Sequence, residues 1–173
     1  MPALHGFNTI KLAFLGLLAV FFARYFLNTD LIINSLLHSF VLVIHEAGHI
    51  FMTPFGRFFM FLGGSLWQLV VPLLICLYFA LSKQLYSAAV TLFLLGFSFL
   101  DVAVYAQDAR ARALPLITFD SNTHDWWNLL GMLDLLEYDQ ILGRLFYLEG
   151  LACYIAAVLL GLRFSRQEDV AAP

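Results

Sequence analysis

Residues 58–82 carry no charge at all. A single uncharged run of this length, placed in apolar surroundings, can satisfy its own backbone N–H and C=O groups only as a helix, and about 20 such residues cross a bilayer. The rest of the chain points the same way. Of 173 residues, 62% are hydrophobic and 12% charged, about half the charge of an ordinary soluble domain. The expected fold is all-α: one polytopic integral membrane domain of about five transmembrane helices plus one interfacial amphipathic helix. A net charge of −3 with nine Lys and Arg offers no basic field for nucleic acid. Cys76 and Cys153 both lie in apolar runs and form no CxxC pair, so neither a redox motif nor a cysteine zinc site is expected.

Hydropathy and turn signals place the spans at about residues 9–27, 31–53, 62–82, 85–109 and 141–162. Asn28-Thr29-Asp30 reads as a turn and N-cap before the second span. Pro54 and Gly56 stop that span, and residues 55–62 read as a short connection. Gly63-Gly64-Ser65 reads as the opening of the third span. Trp126, Leu129, Leu130, Leu133 and Leu136 form an apolar stripe on a helix over about 126–138, expected at the interface, where tryptophan is favoured. Arg110 and Arg112 pull one end of the bundle inward, Arg163 and Arg166 the other, so the positive-inside rule leaves orientation open.

The second span contains His45-Glu46-Ala47-Gly48-His49, a H-E-x-x-H motif. Four residues apart on a helix, the two imidazoles project one turn apart from one face and can grip one zinc ion. Glu46 then stands beside the ion, where it can take a proton from water. A catalytic zinc usually has three protein ligands and one open position. Asp101, Asp108, His124 and Asp125 are the candidates for the third. Asp108, at the end of the fourth span, and His124 and Asp125, just outside it, are all placed at the exit of the second span. Ionisable groups inside spans cost about 2.5–3.5 kcal/mol each on the insertion scale, so they usually have partners. His38 lies on the same helix face as His45 and His49, about 10 Å from His45 along the axis. It reads either as a bond to a neighbouring helix or as part of a polar path.

His45, Glu46 and His49, with acidic residues on a later span, resemble the site-two family of intramembrane zinc metalloproteases. The resemblance covers about residues 31–125, and only the five-residue motif is specific. The family's Leu-Asp-Gly third-ligand pattern is absent. Leu100-Asp101-Val102 and Leu133-Asp134-Leu135 are its nearest fragments, and the segments around Asp108 and around His124-Asp125 stand where a substitute would be needed. The resemblance implies one Zn²⁺ per chain, Glu46 as general base, a membrane-protein or peptide substrate, contact with lipid, and a place in the bacterial inner membrane. The 54–65 return, with Gly56, Gly63 and Gly64, is expected to offer backbone groups to an extended substrate.

Two other functions fit the same residues. One is a non-proteolytic assembly or binding partner that keeps a structural or relic metal site. The other is a metal pathway using His38, His45, His49, Asp101 and Asp108 as a relay, which the lack of an inverted repeat weakens. Substrate and oligomeric state are not written in the sequence.

Overall fold

The computed structural model describes residues 7–166, and every element in it is helical: α1 Thr9–Leu27, α2 Leu36–Met52, α3 Arg57–Leu81, α4 Leu85–Gln107, α5 Asp125–Met132 and α6 Asp139–Phe164, with short 3₁₀ turns between them. Five helices are long and apolar enough to cross a membrane: all but α5, with the adjoining 3₁₀ turns counted in two of them. Their outward faces keep many large apolar side chains exposed, among them Leu17, Val20, Leu74, Leu148 and Leu159. That is the surface a helix presents to lipid rather than to water.

α4 is the central helix. Phe93, Phe97 and Leu100 bury one of its faces against Phe22 and Tyr25 of α1, and Val102 and Ala106 bury another against Trp126 and Leu129 of α5. α6 packs against α4 through glycine. A Cβ at Gly150 would lie 2.8 Å from the Gly96 carbonyl oxygen, so the two backbones touch where no side chain intervenes.

Helix directions follow from side-chain pairs. The Tyr86 hydroxyl donates to the Lys11 carbonyl (2.6 Å), and the Tyr25 and Phe97 rings meet at 5.0 Å, so α1 runs parallel to α4. His38 meets Asp101 (2.7 Å) and His45 meets Tyr105 (5.8 Å between rings), so α2 is parallel to α4 as well. α3 and α6 run the other way. Consecutive helices α1 and α2 therefore share one direction. The ends agree: Asn8 N–H donates to the Ser165 carbonyl (2.8 Å), and Phe7 bridges to Arg166.

The element boundaries depart from the sequence reading in three places. α2 starts at Leu36, not near residue 31, because Asn28 caps a separate 3₁₀ turn and Ser35 Oγ accepts the His38 N–H (3.0 Å). α3 starts at Arg57, because Gly56 makes the whole turn at φ +98°. Gly63, Gly64 and Ser65 are consequently buried inside α3 rather than at its mouth. The helix expected over 126–138 stops at Met132, because Asp134 takes a left-handed φ of +56°. Trp126, Leu129 and Leu130 are buried, whereas Leu133 is exposed.

In a bilayer, two ends that touch require an even number of passages, so α1 and α2 together make one. In a chain with Cys76 and Cys153 replaced by alanine, single cysteines at Thr9 and Lys83 should react with an impermeant thiol reagent from one side. Cysteines at Asn122 and Asp134 should react from the other. Labelling of Thr9 together with Asn122 would instead mean five alternating passages.

Candidate metal centre

α2 and α3 meet at their glycines. A Cβ on Gly48 would collide with the Gly63 carbonyl, and one on Gly64 with the His45 ring. This contact brings one stripe of α3, Met60, Gly64 and Gln68 at intervals of four, against the stripe of α2 that carries His45 and His49. His45 Nδ1 pairs with Gln68 Oε1 (2.9 Å), and His49 Nδ1 with the Met60 carbonyl (2.8 Å). The expected role of Gly63 and Gly64 as backbone donors for a substrate is therefore overturned: they lie within the helix and face α2.

The Nε2 atoms point to a common partner. Asp125 Oδ2 lies 2.9 Å from His45 Nε2 and 3.2 Å from His49 Nε2. His45, His49 and Asp125 form a largely buried group that could hold a metal ion, the one group of its kind among the described residues. Asp125 reaches it from the first turn of α5. Its backbone N–H donates to the Tyr105 hydroxyl of α4 (3.0 Å), and the next residue, Trp126, donates from Nε1 to Ser65 Oγ of α3 (3.1 Å). The Arg57 guanidinium holds Asn128 Oδ1 (3.2 Å), and the Asn128 amide donates to the Asn122 and His124 carbonyls (2.9 and 3.0 Å). The polar segment before α5 is thus folded back over the end of the bundle.

The other candidates stand apart from this group. Asp108 ends α4 and holds the next turn, accepting from Ala113 N–H (2.9 Å) and Leu114 N–H (3.0 Å). Arg112 does not pair with its carboxylate; it lies over the Trp127 ring. His124 caps α5 through Nδ1, which accepts the Trp127 N–H (3.2 Å). Its proton is then on Nε2, which faces Asp108 Oδ2 at 3.3 Å without an aligned hydrogen bond. Burial pushes this imidazole below its usual range, against the pull of Asp108 and Asp125. Asp101 lies level with His38, not with His45 and His49, and accepts from His38 and from Gln68. His38 thus bonds to a neighbouring helix, and it also lines the cavity described below.

The hydrogen bonds decide whether the group suits a cation. The Met60 carbonyl can only accept, so His49 carries its proton on Nδ1. The Gln68 amide is fixed by its other end, because its Nε2 donates to Asp101 Oδ2 (2.6 Å). Its oxygen therefore faces His45, which also carries its proton on Nδ1. Both imidazoles therefore turn Nε2 toward the same carboxylate oxygen, and each Nε2 can donate to that oxygen or, once deprotonated, bind a cation beside it. Three possible ligand atoms converge on one point. Burial pushes the Asp125 carboxyl up, but its bonds to the two imidazoles hold it below the usual carboxylate range, so it is anionic there. The donor set fits a divalent ion that accepts imidazole and carboxylate.

Glu46 lines the same cavity, about 310 Å³ in volume, together with His38, Tyr105, Met60, Leu116 and Ile117. Among the described residues, no hydrogen bond or ion pair occupies its carboxylate. Gln68, the Met60 carbonyl and the anchor formed by Ser65 and Trp126 were not anticipated from the sequence. Gln68 had a readable signal, being the one amide in the uncharged run of α3.

Metal content of purified protein separates the candidates. Asp125→Ala should lose the ion at equimolar zinc, and Asp108→Ala should keep it. Gly64→Ala should lose it too, with an overpacking cost of about 1–3 kcal/mol in stability; a Gly64→Ala chain that binds zinc normally would refute the close fit of His45 on α3. Compared with known proteins, the chain matches no protein-family model, no curated protein and no solved structure.

Proposed function

We propose that this chain is an intramembrane zinc metallopeptidase of the site-two type. The observation that carries the reading is the convergence of His45 Nε2, His49 Nε2 and Asp125 Oδ2 in a cavity that also exposes Glu46. Tetrahedral zinc with bonds of about 2.0–2.1 Å sets its ligand atoms roughly 3.3 Å apart. The two separations from Asp125, 2.9 and 3.2 Å, come near that value. Imidazole with carboxylate is also a donor set that suits zinc.

His45, His49 and Asp125 would hold the ion and leave the cavity side open. When bound there, zinc supplies Lewis-acid polarisation and acidifies water to a pKa of about 7. Glu46 takes the proton of the attacking water and returns it to the departing amide nitrogen. The Tyr105 hydroxyl accepts from the Asp125 backbone N–H and stands at the wall of the same cavity. Apolar walls of Leu42, Met60, Phe61 and Leu116 keep bulk water away from the reacting peptide.

The scissile peptide must unwind, because a helical carbonyl is already hydrogen-bonded and shielded. The apolar lining favours apolar side chains around it.

N-terminal labelling of membranes from cells expressing the wild-type chain or Glu46→Gln tests this. New termini inside apolar segments should appear with the wild type and vanish with Glu46→Gln, while Glu46→Gln still binds about one zinc per chain. Identical termini in both, with zinc bound, would leave the chain as a metal-holding assembly partner instead.

A further inference from the structure

The two imidazoles of the centre are held by different kinds of acceptor. His49 leans on a backbone carbonyl, whose polarity cannot change. His45 leans on the Gln68 side chain, whose amide could present either its oxygen or its nitrogen. With the nitrogen turned inward, Gln68 would donate to His45 Nδ1. The His45 proton would then sit on Nε2, aimed at the place where a metal has to bind. The amide is the one member of the ring of contacts around the two histidines with two possible polarities.

Asp101 removes that choice. Its Oδ2 lies 2.6 Å from Gln68 Nε2, and a carboxylate accepts only from the amide nitrogen. His38 Nδ1 occupies the other oxygen at 2.7 Å and keeps the carboxylate in place. Both Gln68 and Asp101 are buried, which shields these bonds from bulk water. The result is one directed series of donors: His45 donates to Gln68, Gln68 donates to Asp101, and His38 donates to the same carboxylate from its far side.

We infer that Gln68 and Asp101 are positioning residues that lock His45 into the metal-binding tautomer, with His38 holding Asp101. The inference rests on the metal-centre reading above and adds the device that prepares it. It also gives a carboxylate buried between three helices a purpose other than ligation. The negative charge of Asp101 strengthens Gln68 Oε1 as an acceptor, and so raises the donor strength of His45 Nε2. Placing an amide between them keeps a second full negative charge one residue away from the ion.

Zinc affinity, measured by competition with a chromophoric chelator, tests this without reference to activity. Gln68→Ala should weaken zinc by about 10–100-fold, the range usual for loss of such a partner. Gln68→Glu alone should also weaken it, because two carboxylates then face each other. The exchanged pair Gln68→Glu with Asp101→Asn restores an acceptor for His45 and a donor between positions 68 and 101. It should recover affinity to within a few-fold of wild type, along with the wild-type visible spectrum of the cobalt-substituted protein. Gln68→Ala binding zinc as tightly as wild type would overturn the inference, as would an exchanged pair no better than Gln68→Glu. A wild-type chain that binds no zinc would instead overturn the metal-centre reading itself.

Discussion

A polar atom inside an apolar layer has to find its partner within the protein. This constraint organises the upper half of the bundle. His38, His45, His49, Gln68, Asp101 and Asp125 come from four helices, and each is bonded to another member or to a backbone carbonyl. Any one of them alone would be costly to bury. Together they fix the relative height of α2, α3 and α4 and the seating of α5. The apolar clusters around them supply adhesion but little register, since one leucine contact resembles the next. The polar bonds, with fixed lengths and polarities, supply the register.

The same constraint sets what the centre can hold. With Nδ1 committed to Gln68 and to the Met60 carbonyl, His45 and His49 both turn Nε2 toward Asp125 Oδ2. These three atoms can share protons or a metal ion, and imidazole with carboxylate is a set that suits a divalent cation. They form one wall of a cavity that Glu46 also lines.

Glycine decides how closely this can happen. Gly48 lies inside the H-E-x-x-H motif and touches Gly63 across the α2–α3 interface, and Gly64 makes room for the His45 ring. In the sequence Gly63-Gly64-Ser65 looked like the start of a helix after a turn, because paired glycines often break helices in water. Within an apolar layer the same pair is more useful as a flat surface for a neighbouring backbone. The short turn at Gly56, with its positive φ, does the reversing instead.

Several features were determined by the sequence alone. The uncharged run of α3 and the apolar content of the chain required helices long enough to cross a membrane. The four-residue spacing of His45 and His49 required that both rings share a face, because helical geometry is local. The third member was a different matter. Asp101, Asp108, His124 and Asp125 all lie near the right end of α4 in the sequence, and composition cannot rank them. Only the tertiary structure separated them: Asp101 is one bond removed behind Gln68, Asp108 ties down the loop, His124 caps α5, and Asp125 enters the centre. It also set α1 and α2 running in the same direction, which hydropathy cannot register because it carries no sign. Local propensity and span length are written residue by residue, whereas the meeting of α2 with the first turn of α5, eighty residues later, depends on how four helices pack.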